Sequence, residues 1–228
     1  MKFKNRQEAG RQLALRLHQY AGCENVIVLG VPRGGIPVAF EVATSLRVPL
    51  DIFVLRKLGV PGHEELAFGA IGSGGIRVLN RDVIDNLSVS EVEIAAVTKS
   101  EQAELQRRER RYRGDRPPLS LAKRTVILVD DGIATGASLR AAIHGIRKMR
   151  PAAIVVATPV APRLTCNLLR QDVDELVCVE VPEPFYGVGQ FYQDFSQVSD
   201  EEVIQFLQHA IRPPAEKGKA ATCLLITL

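Results

Sequence analysis

Two adjacent carboxylates, Asp130 and Asp131, follow a run of aliphatic residues and precede a stretch of glycine and hydroxyl residues. The aliphatic run at residues 126–129 predicts a buried strand that ends at the carboxylates. A helical pattern begins at Ala137, so a short turn joins the strand to a helix. Ligands of α/β proteins bind at such strand ends. This acidic pair is therefore the leading candidate for a functional site.

The turn after the acidic pair has the composition of a phosphate-binding loop. Gly132 and Gly136 allow the backbone to approach a ligand, and Thr135 and Ser138 supply hydroxyl groups. The N-terminus of the following helix adds unpaired N–H groups and a positive dipole. We name residues 132–138 the phosphate loop. With the acidic pair, the predicted ligand-binding residues are Asp130, Asp131, Gly132, Ile133, Ala134, Thr135, Gly136, Ala137 and Ser138.

Carboxylates beside an anion-binding loop call for a ligand that carries both a phosphate and neutral hydroxyl groups. A ribose 5-phosphate meets this requirement, because Asp130 and Asp131 can accept hydrogen bonds from its 2- and 3-hydroxyls while the loop binds its phosphate. The simpler alternative is an acidic pair that caps the helix at an ordinary turn. Capping does not account for two aspartates together with the pattern Thr-Gly-x-Ser.

Other catalytic patterns fail on spacing. The sequence contains no GxxxxGK[ST] pattern, and no GxGxxG pattern follows a predicted strand. His63 and Glu64 begin a zinc-protease pattern, but Ala67 stands where the second histidine is required. The four cysteines form no CxxC pair. Nucleoside triphosphatase, dinucleotide-binding and zinc-site interpretations are therefore weak.

Strand and helix patterns alternate along most of the chain. The predicted strands are residues 26–29, 50–55, 125–129, 153–158 and 176–181. The predicted helices are residues 36–46, 90–112, 137–149, 163–170 and a last helix opened by Ser199. Polar residues 56–65 predict a loop, and residues 68–71 and 76–79 predict a hairpin. This alternation favours a mainly parallel sheet with helices on both faces.

Residues 130–138, behind their aliphatic strand, resemble the phosphoribosyl pyrophosphate (PRPP) motif of the type I phosphoribosyltransferases. The resemblance extends over residues 26–194. Residues 31–35, Val-Pro-Arg-Gly-Gly, resemble the pyrophosphate loop of that family. Arg56 and Lys57 resemble the start of the mobile loop that closes over PRPP. Residues 181–194 resemble the segment that contacts the base in the 6-oxopurine members.

The resemblance implies roles for individual residues. The implied catalytic residues are Arg33, Arg56, Lys57, Asp130 and Asp131. Arg33 and Gly34 would bind pyrophosphate, and Phe185 and Tyr186 would bind the base. The implied ligands of a Mg²⁺ cofactor are Asp130, Asp131 and Asp194.

The family also implies a fold and an activity. The expected fold is α/β, with a central, mainly parallel sheet, helices on both faces, a flap at residues 56–79 and a small hood built from both chain ends. Residues 1–211 are expected to form one domain and residues 212–228 a tail. The implied enzyme is a PRPP-dependent glycosyltransferase of nucleotide metabolism, which transfers ribose 5-phosphate to a nitrogenous base and releases pyrophosphate.

Two departures leave the acceptor base open. Purine-salvage members usually carry an aspartate at the position of Ala134, and their base-reading lysine has no match in residues 158–162. A carboxylate at this loop position therefore cannot contact the base here. Alanine does occur there in relatives that use uracil.

A second function stays open beside the enzyme: a non-enzymatic regulator that senses PRPP or another nucleotide with the same loop. Its partner surface would be the arginine-rich stretch at residues 107–116, although a solvated helix face is the simpler interpretation. The net charge of +3 gives little support for nucleic acid. The 228 residues, 46% of them hydrophobic, predict a globular core and no membrane span, hence a cytoplasmic protein. A homodimer is retained as a candidate assembly.

Overall fold

The structure is a computed structural model that describes residues 2–114 and 120–210. Its strands are β1 (Val26–Gly30), β2 (Leu50–Ile52), β3 (Leu55–Val60), β4 (His63–Gly72), β5 (Ile76–Leu79), β6 (Thr125–Val129), β7 (Ala153–Val160) and β8 (Glu175–Glu180). Its α-helices are α1 (Arg6–Arg16), α2 (Gly35–Leu46), α3 (Arg81–Asn86), α4 (Glu91–Arg113), α5 (Ala137–Lys148), α6 (Arg163–Leu169) and α7 (Asp200–His209).

The main sheet has five strands in the order β2-β1-β6-β7-β8, and every neighbouring pair is parallel. Alternate residues of each strand face opposite sides. In β1, Val28 packs with residues of α1, α2, α4 and α7, whereas Ile27 and Leu29 pack with residues of α5 and α6. Strands β1, β6 and β7 are buried along their whole length, and they are accordingly almost continuously aliphatic. The predicted α/β fold is confirmed.

A second sheet contains three antiparallel strands in the order β3-β4-β5. The predicted hairpin is confirmed as the β4–β5 pair. The predicted loop at residues 56–65 is wrong, because most of this segment lies in β3 and β4. Leu58 and Val60 are buried while Lys57 before them is exposed, so one face of β3 contributes to the core.

The small sheet, which corresponds to the predicted flap, is anchored to the rest of the molecule. A Cβ on Gly145 of α5 would lie 2.0 Å from Ile76 Cγ2, so β5 packs directly on that helix. The turn between β4 and β5 is held as well, because the backbone N–H of Val54 donates to Ser73 Oγ at 2.9 Å. Strand β5 and the turn before it are therefore fixed to the rest of the molecule.

The hood joins the start of the described chain to residues 191–193. The backbone N–H of Phe3 donates to the carbonyl of Phe191 at 2.8 Å, and the N–H of Gln193 donates to the carbonyl of Phe3 at 2.8 Å. The rings of Phe3 and Tyr192 lie 5.5 Å apart. Helices α1 and α7 both pack against α2. The predicted hood is confirmed, although the sequence patterns had not predicted α1.

Helix α4 begins with a capping box, in which Ser90 and Glu93 satisfy each other's backbone N–H groups. Its arginines form ion pairs within the molecule. Arg107 and Arg108 pair with Glu104, each at 2.7 Å, and Arg113 pairs with Asp51 at 3.0 Å. These ion pairs reduce the charge available to a nucleic acid. The solvated-face interpretation fits Arg107, which is 55% exposed, but not Arg113, which is 11% exposed.

The predicted tail at residues 212–228 and Arg116 of the arginine-rich stretch lie outside the described residues. Among residues 2–114 and 120–210, none of the helices has the length and apolarity needed to cross a membrane.

Candidate active site

The acidic pair lies where the topology of the main sheet changes direction. From β1 the chain adds β2 on one side, whereas β6, β7 and β8 continue on the other side. The crevice at such a switch point, at the C-terminal ends of the strands, is where open α/β sheets bind ligands. Asp130 and Asp131 follow the last residue of β6. The N–H of Val31, which follows β1, donates to the carbonyl of Val129 at 2.9 Å. The loops after β1 and β6 are therefore joined at this crevice.

Glycines let the loop after β1 approach the acidic pair. A Cβ on Gly34 would lie 2.1 Å from Asp131 Oδ2, and a Cβ on Gly35 would lie 2.8 Å from the carbonyl oxygen of Val129. Any side chain at Gly34 would therefore displace the Asp131 carboxylate. The peptide bond between Pro32 and Arg33 in this loop is cis. Gly34, predicted to bind pyrophosphate, thus lies against one of the predicted ribose-binding carboxylates.

The two carboxylates have different electrostatic surroundings. Burial raises the pKa of Asp130 well above its usual range, and the neighbouring charge of Asp131 raises it further. Asp131 instead pairs with Arg6, whose Nε donates to Asp131 Oδ2 at 2.7 Å. Within the described part of the chain, Asp130 forms no ion pair. Ionisation of Asp130 beside the Asp131–Arg6 pair is therefore unfavourable, and a bound cation would favour it.

Arg6 and Tyr192 are site residues that the sequence analysis missed. Tyr192 Oη donates to the backbone carbonyl of Asp131 at 2.5 Å, and burial, followed by the nearby charge of Asp131, raises its pKa. Arg6 lies 125 positions from Asp131 in the sequence. No spacing rule links positions so far apart, and the only signals were an arginine near the N-terminus and a tyrosine in the predicted base segment.

The phosphate loop has the geometry expected of an anion-binding turn. Gly136 is the N-cap of α5 and has φ 73°, the left-handed region that glycine adopts most readily. No side chain caps this helix end, so its first N–H groups point toward the loop unpaired by a capping group. Thr165 of α6 steadies the loop, because its Oγ1 donates to the carbonyl of Ala134 at 2.6 Å. Thr135 is exposed and Ser138 is half-buried.

The hood segment at residues 181–194 reaches the phosphate loop. A Cβ on Gly132 would lie 2.2 Å from Val188 Cγ1, so this glycine allows the two segments to touch. Phe185 stacks on Phe191, with ring centroids 5.4 Å apart. Tyr186 is 85% exposed. Phe185 is thus part of the hood packing, and Tyr186 is the freer of the two predicted base-binding rings.

The three predicted cations have different settings. Arg33 follows β1 and lies 3.9 Å from Asp200, the first residue of α7. Arg56 lies on β3 and pairs with Glu101 of α4 at 2.6 Å. Lys57, beside it, is exposed. Arg56 and Lys57 therefore lie on a strand and not in the predicted mobile loop.

The three predicted Mg²⁺ ligands are not gathered into one cluster. Asp194 Oδ1 accepts from the N–H of Ser196 at 3.0 Å, and this backbone hydrogen bond lowers the pKa of Asp194. Within residues 2–114 and 120–210, no group of three histidine, cysteine, aspartate or glutamate side chains could share a metal ion. Asp130 and Asp131 remain as adjacent oxygen donors, the type that Mg²⁺ prefers.

Comparison with known proteins now decides the family. The profile described as "Phosphoribosyl transferase domain" matches residues 2–195, which include the acidic pair, the phosphate loop and most of the hood. The chain belongs to the phosphoribosyl transferase family. Two curated relatives from Mycobacterium tuberculosis strains are each 49% identical over 216 residues, named "Putative phosphoribosyl transferase MT0597" and "Putative phosphoribosyl transferase Rv0571c". The alignment covers 95% of this chain but 48% of each relative.

This phosphoribosyl transferase chain therefore spans about half the length of the curated relatives it matches. A solved structure, that of TT1426 from Thermus thermophilus, superimposes with a TM-score of 0.80 at 40% sequence identity. The superposition covers 92% of this chain and 99% of TT1426. The fold of TT1426 and that of this chain thus agree over the main sheet and beyond it.

Proposed function

We propose that the protein transfers ribose 5-phosphate from PRPP to a nitrogen atom of a base and releases pyrophosphate. One observation carries the proposal: two carboxylates at the end of β6 are followed directly by the uncapped N-terminus of α5, and Gly34 of the loop after β1 lies against Asp131. A ligand with hydroxyls at one end and a phosphate at the other matches that arrangement. Family membership supports the same class of reaction.

Each part of the crevice would act on a different part of PRPP. Asp130 and Asp131 would accept hydrogen bonds from the ribose hydroxyls, and the unpaired N–H groups at the start of α5 would bind the 5-phosphate. Arg33 and the backbone beside Gly34 would bind the pyrophosphate. Because negative charge develops on the leaving pyrophosphate, stabilisation of that charge would be the main catalytic effect.

Mg²⁺ would be held by Asp130 and Asp131 together with oxygens of the substrate, as Mg²⁺ sites built on one or two carboxylates generally are. When bound, the ion would neutralise charge on the pyrophosphate and orient it. The adjacent carboxyl groups of Asp130 and Asp131 fit this role, because a bound cation would favour the ionised form of Asp130. Asp194 would have to reach the ion from the hood, where its Oδ1 accepts from the N–H of Ser196.

Lys57 and Arg56 would approach the pyrophosphate from the small sheet. Lys57 is exposed and available, whereas Arg56 would first have to leave Glu101. The acceptor base would lie beneath the hood near Tyr186. Ala134 provides no carboxylate for the base, so recognition of the base would depend on hood residues and backbone groups.

A sensor of PRPP is the second candidate function, and the pairing of the candidate catalytic arginines favours it. Arg56 is paired with Glu101 and Arg33 lies near Asp200, so both cations have partners within the protein. A protein that only binds PRPP needs the acidic pair and the phosphate loop but not free cations at the leaving group. Turnover separates the two functions.

The decisive experiment measures pyrophosphate release from PRPP and Mg²⁺ across a panel of purine and pyrimidine bases, with product masses determined. The proposal expects one base or a few related bases to give a nucleoside monophosphate. Asp131→Asn serves as the negative control because it removes one ribose-binding carboxylate. PRPP binding without release by any base would favour the sensor, and absence of PRPP binding would exclude both functions.

A further inference from the structure

Contacts on several sides hold Arg6 in place, and the proposed reaction does not by itself call for them. It lies in the first turn of α1, which Asn5 caps by accepting from the N–H of Glu8 at 2.9 Å. Just before it, Phe3 is hydrogen-bonded to the hood on both sides. Within α1, a Cβ on Gly10 would lie 2.7 Å from the carbonyl of Val38, so α1 packs closely on α2. The backbone that carries Arg6 is therefore fixed.

The guanidinium of Arg6 is also fixed along its edge and its face. Nε donates to Asp131 Oδ2 at 2.7 Å, and Nη1 donates to the carbonyl of Ser196 at 2.7 Å. Its Cζ lies 4.0 Å from the centroid of the Phe195 ring. Only 11% of the Arg6 side chain and 13% of the Asp131 side chain are exposed. A charge pair this deeply buried persists only when both partners are present and well oriented.

The bond to Arg6 occupies Oδ2 of Asp131 and leaves Oδ1 without a contact to Arg6. Tyr192 holds the backbone of the same residue. We propose that Arg6 is a positioning residue, which orients the Asp131 carboxylate so that its second oxygen meets a ribose hydroxyl of PRPP. The inference rests on the proposed function, and it makes the N-terminal helix part of the substrate site.

A double-mutant cycle tests whether Arg6 acts through Asp131. PRPP affinity, with Mg²⁺ present, is measured by calorimetry for the wild type, Arg6→Gln, Asp131→Asn and the double variant. Arg6→Gln removes the charged hydrogen bond that orients the Asp131 carboxylate, so it should weaken PRPP binding roughly tenfold. In the Asp131→Asn background the same change should alter PRPP affinity by less than about twofold, since the carboxylate that Arg6 orients is already absent.

Arg11→Gln is the matched control. Arg11 lies on the same helix and pairs with Glu41 at 3.3 Å, but 63% of its side chain is exposed and it is remote from the acidic pair. PRPP affinity of this variant should stay within about twofold of the wild type. Arg6→Lys retains the positive charge near Asp131 and should recover part of the affinity lost in Arg6→Gln. It also replaces Arg6→Gln in the cycle if that variant does not fold.

The outcomes separate this inference from the proposed function. A wild type that binds PRPP, with equal losses from the Arg6 substitution in both backgrounds, would refute the positioning role alone. An Arg6 variant that binds as tightly as Arg11→Gln would refute it as well. A wild type that does not bind PRPP would instead overturn the proposed function, and the positioning role with it.

Discussion

Asp130 is a half-buried carboxyl group that forms no ion pair within the described part of the chain. Its Oδ1 accepts from the N–H of Asp131 at 2.9 Å, but burial and the charge of Asp131 both oppose ionisation and raise its pKa. Asp172 has the opposite character. The hydrogen bond from Arg140 lowers its pKa, and it lies before β8, at the other end of the main sheet. The acidic pair therefore holds a carboxylate that is unfavourable to ionise until a ligand binds.

This difference predicts opposite effects of two aspartate-to-asparagine changes. An aspartate whose pKa is raised in the folded state stabilises the fold at low pH, and that contribution is lost as the pH rises through the raised value. Asp130→Asn should therefore increase the free energy of unfolding at pH 7 relative to pH 4, compared with wild type. Its asparagine oxygen can still accept from the N–H of Asp131. Urea unfolding across this pH range measures the effect.

Asp172→Asn is the control with the reverse sign. Because the pKa of Asp172 is lowered, its ionised form stabilises the protein above the unfolded pKa and loses this contribution as the pH falls through the folded value. Asp172→Asn should thus decrease the free energy of unfolding at pH 7. If Asp130→Asn also destabilises at pH 7, the pKa of Asp130 is not raised in the folded protein.

The phosphate loop and the N-terminus of α5 meet at Gly136, the N-cap of that helix, and together form the proposed phosphate site. Gly136 has φ 73°, and Gly22, remote from the crevice, has φ 70° and open space where a Cβ would lie. Gly22→Ala should cost about 1 kcal/mol in stability because of the left-handed backbone, and Gly136→Ala should cost more because its Cβ would also lie 2.9 Å from Thr165 Cγ2. Gly136→Ala should also weaken PRPP binding, whereas Gly22→Ala should not. Paired unfolding and calorimetry measurements would contradict the loop assignment if both variants bound PRPP equally.

Strand β3 presents Lys57 to solvent at the start of the small sheet. If Lys57 meets pyrophosphate only as charge develops during transfer, Lys57→Ala should lower kcat by roughly tenfold or more while PRPP affinity changes little. Lys148→Ala, at the C-terminal end of α5, is the control and should change neither. Equal losses in kcat and affinity would mean that Lys57 contributes uniform binding, and no loss would remove it from the site.

Local patterns predicted the elements that are buried on both faces and the turns between them. The aliphatic runs of β1 and β6 and the phosphate loop with its glycines are each continuous in sequence, so their arrangement is a local matter. Strand β3 was not predicted, because the charged residues Arg56 and Lys57 masked the alternation of buried and exposed positions that includes buried Leu58 and Val60. The pairing of Arg6 with Asp131 depends on tertiary contacts alone, and no pattern within one segment encodes it.

At the scale of the whole molecule, Phe3 ties the first described residues to the hood over the site. It is 1% exposed and packs with Val160 and Tyr192. Phe3→Ala should lower the free energy of unfolding by about 3–5 kcal/mol, because a buried aromatic ring is lost. Leu15→Ala is the control, since Leu15 is 75% exposed. That change should cost less than about 0.5 kcal/mol.

Phe3→Ala also tests the link between the hood and the acidic pair. Loss of the Phe3 ring should allow Tyr192 to move away from the backbone of Asp131. PRPP binding should then be weaker in protein that remains folded. Urea unfolding gives the stability, and calorimetry below the unfolding transition gives the affinity. An unchanged free energy of unfolding in Phe3→Ala would contradict the close packing of Phe3 with Val160 and Tyr192.

The central claim is that one crevice binds the hydroxyls of a ribose on the acidic pair and its 5-phosphate at the start of α5. The most direct measurement compares, by calorimetry with Mg²⁺, the binding of PRPP with that of ribose 1-pyrophosphate, which lacks the 5-phosphate. Because several N–H groups would lose their anion, the second ligand should bind roughly 100-fold more weakly. Comparable affinities for the two ligands, or no binding of PRPP, would contradict the claim.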